Sequence, residues 1–561
     1  MINTQASSHY KITLFLFLGI FGIVFMTSHA SMSVDPPTRY YEAKSIVDHG
    51  DLEIRMDPDK VSPGIFPGVN GKLYSFYGKG QTVVFASIYW FATHVLNIHN
   101  DKIIKALISI TLFPVILGLL SVCFYYLLLA FGVSSKISYW GAILVILATG
   151  IWQTSKEAQE AVQLALFNVL WVWQLRRFQL TGHIKYLTIA ALAVSFGFLT
   201  RMDTAPTVLC FLIGAVYIIF QLNDKGNKQQ RCSVSSRGAI VLLVCCTLPA
   251  LVLHMYINWQ CFNNPITGLA KVDDKILDLS SLSMGVKGLL LSPGRSLFLY
   301  NPIFILMMVG VWHFYKQYRM WCIMLMGAMV MELLLHASYP SFHGNCCWGP
   351  RYIVPHFPFL MIPVVYYANT IFKKGIDPFY IKKICIGVVV LLSIAVQVLA
   401  VSMHHTKELY THPHVYNVGW SDKQWTMFEP ESHFIPIRGK NLVKCITNMY
   451  SGNIAKWPTQ ENGKLSYEAQ INAPTLNYLA FWPYHLTYYL PAIKPDKAIS
   501  LALATTILIV GVVLSGILLI VGNRYVSTSY TARVNESLGQ LRERVTAIRV
   551  CPAKELQKMS M

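Results

Sequence analysis

Thirteen apolar stretches recur along this 561-residue chain, at 12–26, 82–96, 103–131, 137–150, 158–175, 186–199, 206–222, 239–258, 297–314, 320–335, 353–371, 384–403 and 499–521. A hydrocarbon layer about 30 Å thick is crossed by a helix of about 20 apolar residues. A chain that is 54% hydrophobic and 13% charged, with mean hydropathy +0.45, has no soluble way of burying so many such segments. The fold class is therefore an all-α polytopic membrane protein of about twelve transmembrane helices plus juxtamembrane helices, with a small extracytoplasmic lobe.

Twelve rather than thirteen follows from charge. Segment 82–96 is short, holds His94 and follows a loop rich in Gly, Tyr and Lys. As a span it would put Arg176 and Arg177 outside. Lying flat at the outer interface, it leaves Lys136, Arg176, Arg177, Lys185, Lys225, Lys228, Arg231, Arg237, Lys316, Arg319, Lys373, Lys374, Lys382, Lys383 and the tail from Arg524 on the inner side. The net charge of +19 thus reads as a topology determinant, and nucleic acid is not a partner. Ser28-His29-Ala30 resembles a signal-peptide cleavage site, but only Lys11 precedes the first apolar run closely, so that run reads as a retained anchor.

The expected organisation is a transmembrane core over 1–403, including a first outer loop at 31–102. An extracytoplasmic lobe follows over 404–498, then a last transmembrane helix over 499–522 and a basic amphipathic cytoplasmic tail over 523–561. In the tail, Val534, Leu538, Leu541, Val545 and Ile548 form an apolar face between arginines, suited to an anionic leaflet or to a short coiled coil. Cys261, Cys346, Cys347 and Cys445 fall in the outer segments, where a disulfide is open to them. No Cys or His spacing suits a metal, so no cofactor is expected and a divalent metal is not indicated.

Polar residues gather at the outer span ends. Asp35 follows the first span, and Pro36-Pro37 open a helical pattern that runs to Gly50. Asp35 reads either as the N-cap of that helix or as a general base held at the membrane boundary. Lys79 in YGKG, Arg201 before Asp203, Arg295 in SPGR and Arg351 in WGPR all oppose the usual charge bias. Singly, each reads as a snorkelling residue or an ion-pair member. Together they would hold the phosphate of a lipid whose tail stays in the bilayer. Glu157 and Glu160 either supply a second carboxylate facing Asp35 or favour the first turn of the helix they open. His343 lies outside without metal-ligand spacing.

These residues resemble the GT-C superfamily of polytopic glycosyltransferases, in particular bacterial relatives of the protein O-mannosyltransferase and aminoarabinose transferase group. The resemblance rests on the span layout and on Asp35 with RYYEA, on GVNGKLYSFYGKGQ, on LSPGRSLFLYNP and on HGNCCWGPRYIVPHFP. The mannosyltransferases carry Asp-Glu where this chain has Asp35-Pro36. Arg39, Tyr40, Lys79, Glu157, Arg201, Arg295, His343 and Arg351 are the residues expected around the substrate, and the resemblance implies Asp35 as the catalytic base. It implies an inverting transfer from a polyprenyl-phosphate-linked sugar donor to a glycan, lipid or protein acceptor. The expected location is a bacterial inner membrane, with the active site facing the extracytoplasmic side, as suits a cell-envelope enzyme surrounded by membrane lipids. The rival expectations are a transporter or lipid-linked-sugar flippase, for which Glu332 and His336 are the in-span ionisable candidates, and a non-catalytic membrane scaffold.

Overall fold

The structure, a computed structural model, describes residues 2–29, 32, 35–55, 64–223, 235–265, 278–339, 342–344, 347–373, 380–403, 428, 433–451, 479–485 and 497–549. Most of the expected lobe over 404–498 lies outside the described residues. So do Lys225, Lys228, Arg231, Lys374 and Cys346, and the side chains of the tail.

The chain is built of helices. Helix α1 (Ile2–Thr27) gives way to α2 (Pro36–His49), a short hairpin of β1 (Ile65–Pro67) and β2 (Leu73–Ser75), and α3 (Lys79–Trp90). Helices α4 (Asp101–Leu107) and α5 (Phe113–Ala130) run on into one another, and α6 (Ser135–Leu147), the short α7 (Ile151–Lys156), α8 (Glu160–Thr181), α9 (Ile184–Thr200), α10 (Ala205–Asn223) and α11 (Ser236–Phe262) follow. Then come α12 (Leu279–Leu291), α13 (Leu297–Tyr300), α14 (Met307–Gln317), α15 (Arg319–Ala337), α16 (Phe357–Lys373), α17 (Tyr380–Ser402), α18 (Phe434–Ser451) and α19 (Lys497–Arg549).

Among the described residues, seven segments are long and apolar enough to cross a membrane: Tyr10–Thr27, Asp101–Ala130, Met202–Asn223, Ser236–Phe262, Arg319–Ala337, Tyr380–Ser402 and Leu501–Ser527. The other five expected spans fall on α6, α8, α9, α13–α14 and α16, which are shorter or less apolar. Their surfaces explain why the protein is an integral membrane protein. Leu192, Ile213, Val241, Met308, Leu391 and Ile509 are each more than half exposed, a patchwork that water would not tolerate and that lipid covers. Inside, Trp171, Trp321, Tyr125 and Phe113 are fully buried. Helix α19 returns to pack along α1, where a Cβ on Gly22 would lie 2.1 Å from Ser515 Oγ, so only glycine permits that approach.

The two ends of the bundle differ in chemistry. At one end Arg176 donates to the Ala130 carbonyl at 3.2 Å and lies over the Tyr318 ring, beside the start of α15 at Arg319. At the other end lie α2, the hairpin and α3. Helix α3 starts and finishes on α2: Lys79 reaches Glu42, and the Tyr89 hydroxyl donates to Asp48 at 3.1 Å. The next helix begins there too, with Asp101 3.0 Å from Lys44. Helix α3 therefore lies along α2 from end to end.

Candidate active site

Asp35 precedes α2, but its carboxylate does not cap the helix. Pro36 and Pro37 lack N–H groups, and the Thr38 N–H donates to the Asp35 carbonyl at 3.1 Å. With its capping donors missing or taken, the carboxylate turns elsewhere. Its Oδ1 accepts from the Tyr77 hydroxyl at 2.9 Å, and its Oδ2 pairs with Arg351 Nη2. Burial pushes the Asp35 carboxyl up. The guanidinium groups of Arg351 and Arg39 and the hydrogen bonds from Tyr77 and Arg351 more than offset this, and hold it below the usual carboxylate value.

Tyr77 is aimed by the hairpin. β1 and β2 pair antiparallel in register Phe66 to Tyr74, across a turn in which Asn70 and Gly71 take φ of 58° and 71°. Gly64 sits at φ 93°, and a Cβ there would fall 2.4 Å from the Tyr77 ring. Both the backbone angle and the ring require glycine at that position. The Arg39 guanidinium lies 4.1 Å over the other side of this arrangement, on the Tyr77 ring centroid.

Arg351 opens a short helical turn after the 342–350 loop, and Arg295 organises that loop. Arg295 is fully buried; its Nε donates to the His343 carbonyl at 2.8 Å and its Nη1 to the Cys347 carbonyl at 2.5 Å. The Arg295 fork is thus held by backbone carbonyls, His343's among them, where the sequence suggests a phosphate ligand. Arg351 Nη1 also points at the Cys347 sulfur at 3.3 Å. Cys261, Cys347 and Cys445 are free thiols.

Three further residues expected around the substrate make contacts of their own. The Tyr40 hydroxyl donates to Asp101 at 2.9 Å, so it braces α2 against α4 instead of facing Asp35. Lys79 donates to Glu42 at 2.5 Å and to the Ser75 carbonyl at 2.8 Å, while Thr82 donates to the second Glu42 oxygen at 2.7 Å. This pair locks α3 to α2. Lys79→Met, which strands a fully buried Glu42, should destabilise the protein by about 3–5 kcal/mol, and adding Glu42→Gln should recover most of that. Thermal unfolding in detergent reads it; an unchanged midpoint in Lys79→Met would refute the bracing role. Glu157 follows α7 and accepts from Gln153 at 2.8 Å. Burial drives its carboxyl up to about 7 despite Gln153, Arg351, Arg438 and Lys156 nearby.

Glu160, rather than Glu157, is the carboxylate that links the arginines. It lies 3.2 Å from Arg39 and 4.0 Å from Arg201. Arg201 pairs in turn with Asp203, and His336 Nε2 stands 3.6 Å from Asp203. The His336 ring stacks on Tyr352, the residue after Arg351, at 4.9 Å. Alternating signs let this row of charges sit in a dry region, since each is compensated by its neighbours. Glu332 and His336, on which a transporter reading would lean, belong to the same end: Glu332 accepts from Thr207 at 3.0 Å and lies 3.5 Å from His336. Of the paired guanidinium groups here, Arg351 is the most open, its side chain 16% exposed against 9% for Arg201 and 1% for Arg39.

Residues 87–252 match a family model described as dolichyl-phosphate-mannose-protein mannosyltransferase. No curated protein matches the chain. Two similar solved structures are ArnT from Cupriavidus metallidurans bound to undecaprenyl phosphate and the archaeal oligosaccharyltransferase AglB from Archaeoglobus fulgidus, in complex with an inhibitory peptide and a dolichol-phosphate. ArnT is 11% identical with a TM-score of 0.37, over 84% of this chain and 86% of its own. AglB is 11% identical with a TM-score of 0.41, over 70% of this chain and 55% of its own. The family match runs from within α3 to α11, through Glu160 and Arg201, and over those residues the chain is similar to that mannosyltransferase family.

Proposed function

We propose that the protein transfers a sugar, with inversion, from a polyprenyl-phosphate donor to an acceptor hydroxyl at the Asp35–Arg351 pair. The observation that carries this is the pairing itself: a carboxylate just past the first span meets a partly open guanidinium from more than three hundred residues later. The acceptor O–H gives its proton to Asp35 as its oxygen attacks the anomeric carbon. The bond from that carbon to the phosphate oxygen breaks on the opposite face, and the phosphate leaves with the electron pair. Arg351 meets the charge that grows there. Tyr77, whose hydroxyl burial and Asp35 hold protonated, keeps the carboxylate oriented.

In the free enzyme Arg351 weakens Asp35 as a base. A donor phosphate that draws the guanidinium to itself restores the basicity, so the base is armed by donor binding. Arg39, Glu160 and Arg201 form the buried wall behind the pair, and Arg295, His343, Lys79 and Tyr40 hold the surrounding segments. The site faces the extracytoplasmic side of a bacterial inner membrane, a reading supported by the cations gathered at the opposite end of the bundle. The acceptor is a glycan, lipid or protein of the cell envelope, and the transmembrane core and the lobe over 404–498 divide the chain as the sequence suggests.

The direct test incubates purified protein with labelled polyprenyl-phosphate sugars and membrane extract and follows product and anomeric configuration. Transfer with inversion is expected. Movement of the labelled lipid across vesicles with no covalent product would overturn the reading in favour of a flippase.

A further inference from the structure

We propose that helix α18 is a strap that sets the position of Arg351, with Arg438 as its positioning residue; this rests on the role given to Arg351 above. Phe434 and Arg438, one turn apart on α18, are both buried against the loop that carries Arg351. The Arg295 guanidinium, which holds that loop at His343 and Cys347, lies 5.7 Å from the Phe434 ring centroid. At the other end of the loop the Arg438 guanidinium lies 4.3 Å over the Trp348 ring and donates to the Ala400 carbonyl, near the end of α17, at 2.7 Å. One face of α18 thus meets the loop twice, directly at Trp348 and indirectly through Arg295.

The grip is transmitted over a short, stiff path. Trp348 packs edge-on against Tyr300 at 4.9 Å, and the Tyr300 carbonyl accepts from Gln397 of α17 at 2.6 Å. Next comes Gly349 at φ 68°, where a Cβ would meet Tyr300 Cβ at 3.0 Å, then Pro350 with its fixed φ, then Arg351. A shift of Trp348 has little slack to absorb it before Arg351. Tyr300, Trp348, Val396, Ala400 and Phe434 form a small apolar cluster separate from the main core, so its packing serves to join α18 and α17 to this loop. Glu157 and Lys156 both lie within electrostatic reach of Arg438. Lysine 440 on the same helix is exposed.

The test is a double-mutant cycle in the full chain, read as kcat/KM for a polyprenyl-phosphate sugar across pH. Arg438→Ala should lower kcat/KM about tenfold and move its acid limb upward, in the direction set by losing Arg351 from Asp35. In an Arg351→Ala background the same change should cost less than about twofold, because there is no longer a guanidinium to position. Trp348→Phe, which keeps a ring under Arg438, should show a weaker form of the same pattern if Arg438→Ala folds poorly, and Lys440→Ala should leave the profile unchanged. Equal losses in both backgrounds with an unmoved acid limb would mean a structural role alone and overturn the strap, while Asp35→Asn stays inactive and the base assignment stands. Full turnover in Asp35→Asn would overturn both.

Discussion

Arg351→Ala is expected to lower kcat/KM for the lipid-linked donor by about 10²–10³-fold, the scale seen when one preorganised donor to a developing anion is removed. The loss should fall on both donor binding and turnover, since the guanidinium meets the phosphate before and during bond cleavage. A second signature separates this from mere damage. Burial raises the Asp35 carboxyl, and Arg351 is the first of the groups that pull it back below its ordinary value. Without Arg351 the burial effect gains ground, the carboxyl is protonated at higher pH, and the acid limb of the kcat/KM profile moves up. The same change removes stability that the ionised pair supplies above the unfolded carboxyl's pKa and loses as pH falls through the folded one. Donor affinity equal to wild type together with an unmoved acid limb would exclude the phosphate role.

The helical, many-span pattern was legible because hydrophobicity and charge bias act locally along the chain. What pairs with what was not. Arg295 and Arg351 both follow a Gly- or Pro-containing turn in sequence, yet one is bound to three carbonyls and the other to a carboxylate. Only the fold of the 342–350 loop decides between them. Lys79 looked like a phosphate ligand because Glu42, thirty-seven residues away, gave no sign of reaching it. Nothing in SFYGKG itself marks Tyr77; the turn that aims it depends on Gly64 and Gly71, both at positive φ. Glu160 and Glu157 were indistinguishable by position; the left-handed residue Ala158 at φ 58° separates them in space. The N-cap reading of Asp35 failed for a reason visible in the sequence, since two prolines remove the N–H groups that a cap would hold.

Asp35→Asn carries the largest expected effect. General bases contribute about 10²–10⁴-fold, and three nearby carboxylates are already committed elsewhere. Glu160 is held between Arg39 and Arg201, Asp203 is paired with Arg201, and Glu42 is locked by Lys79 and Thr82. Asparagine is isosteric with aspartate and keeps one oxygen for the Tyr77 hydroxyl, while its amide leaves Arg351 without a carboxylate partner. Removing the negative charge also ends the competition between carboxylate and phosphate for Arg351, and donor binding should be unchanged or tighter. The decisive measurement is therefore made on purified Asp35→Asn, with donor binding and product formation followed side by side on one lipid-linked sugar. Donor affinity at or above wild type with product reduced at least about 100-fold is the predicted outcome; product at the wild-type rate would contradict the account.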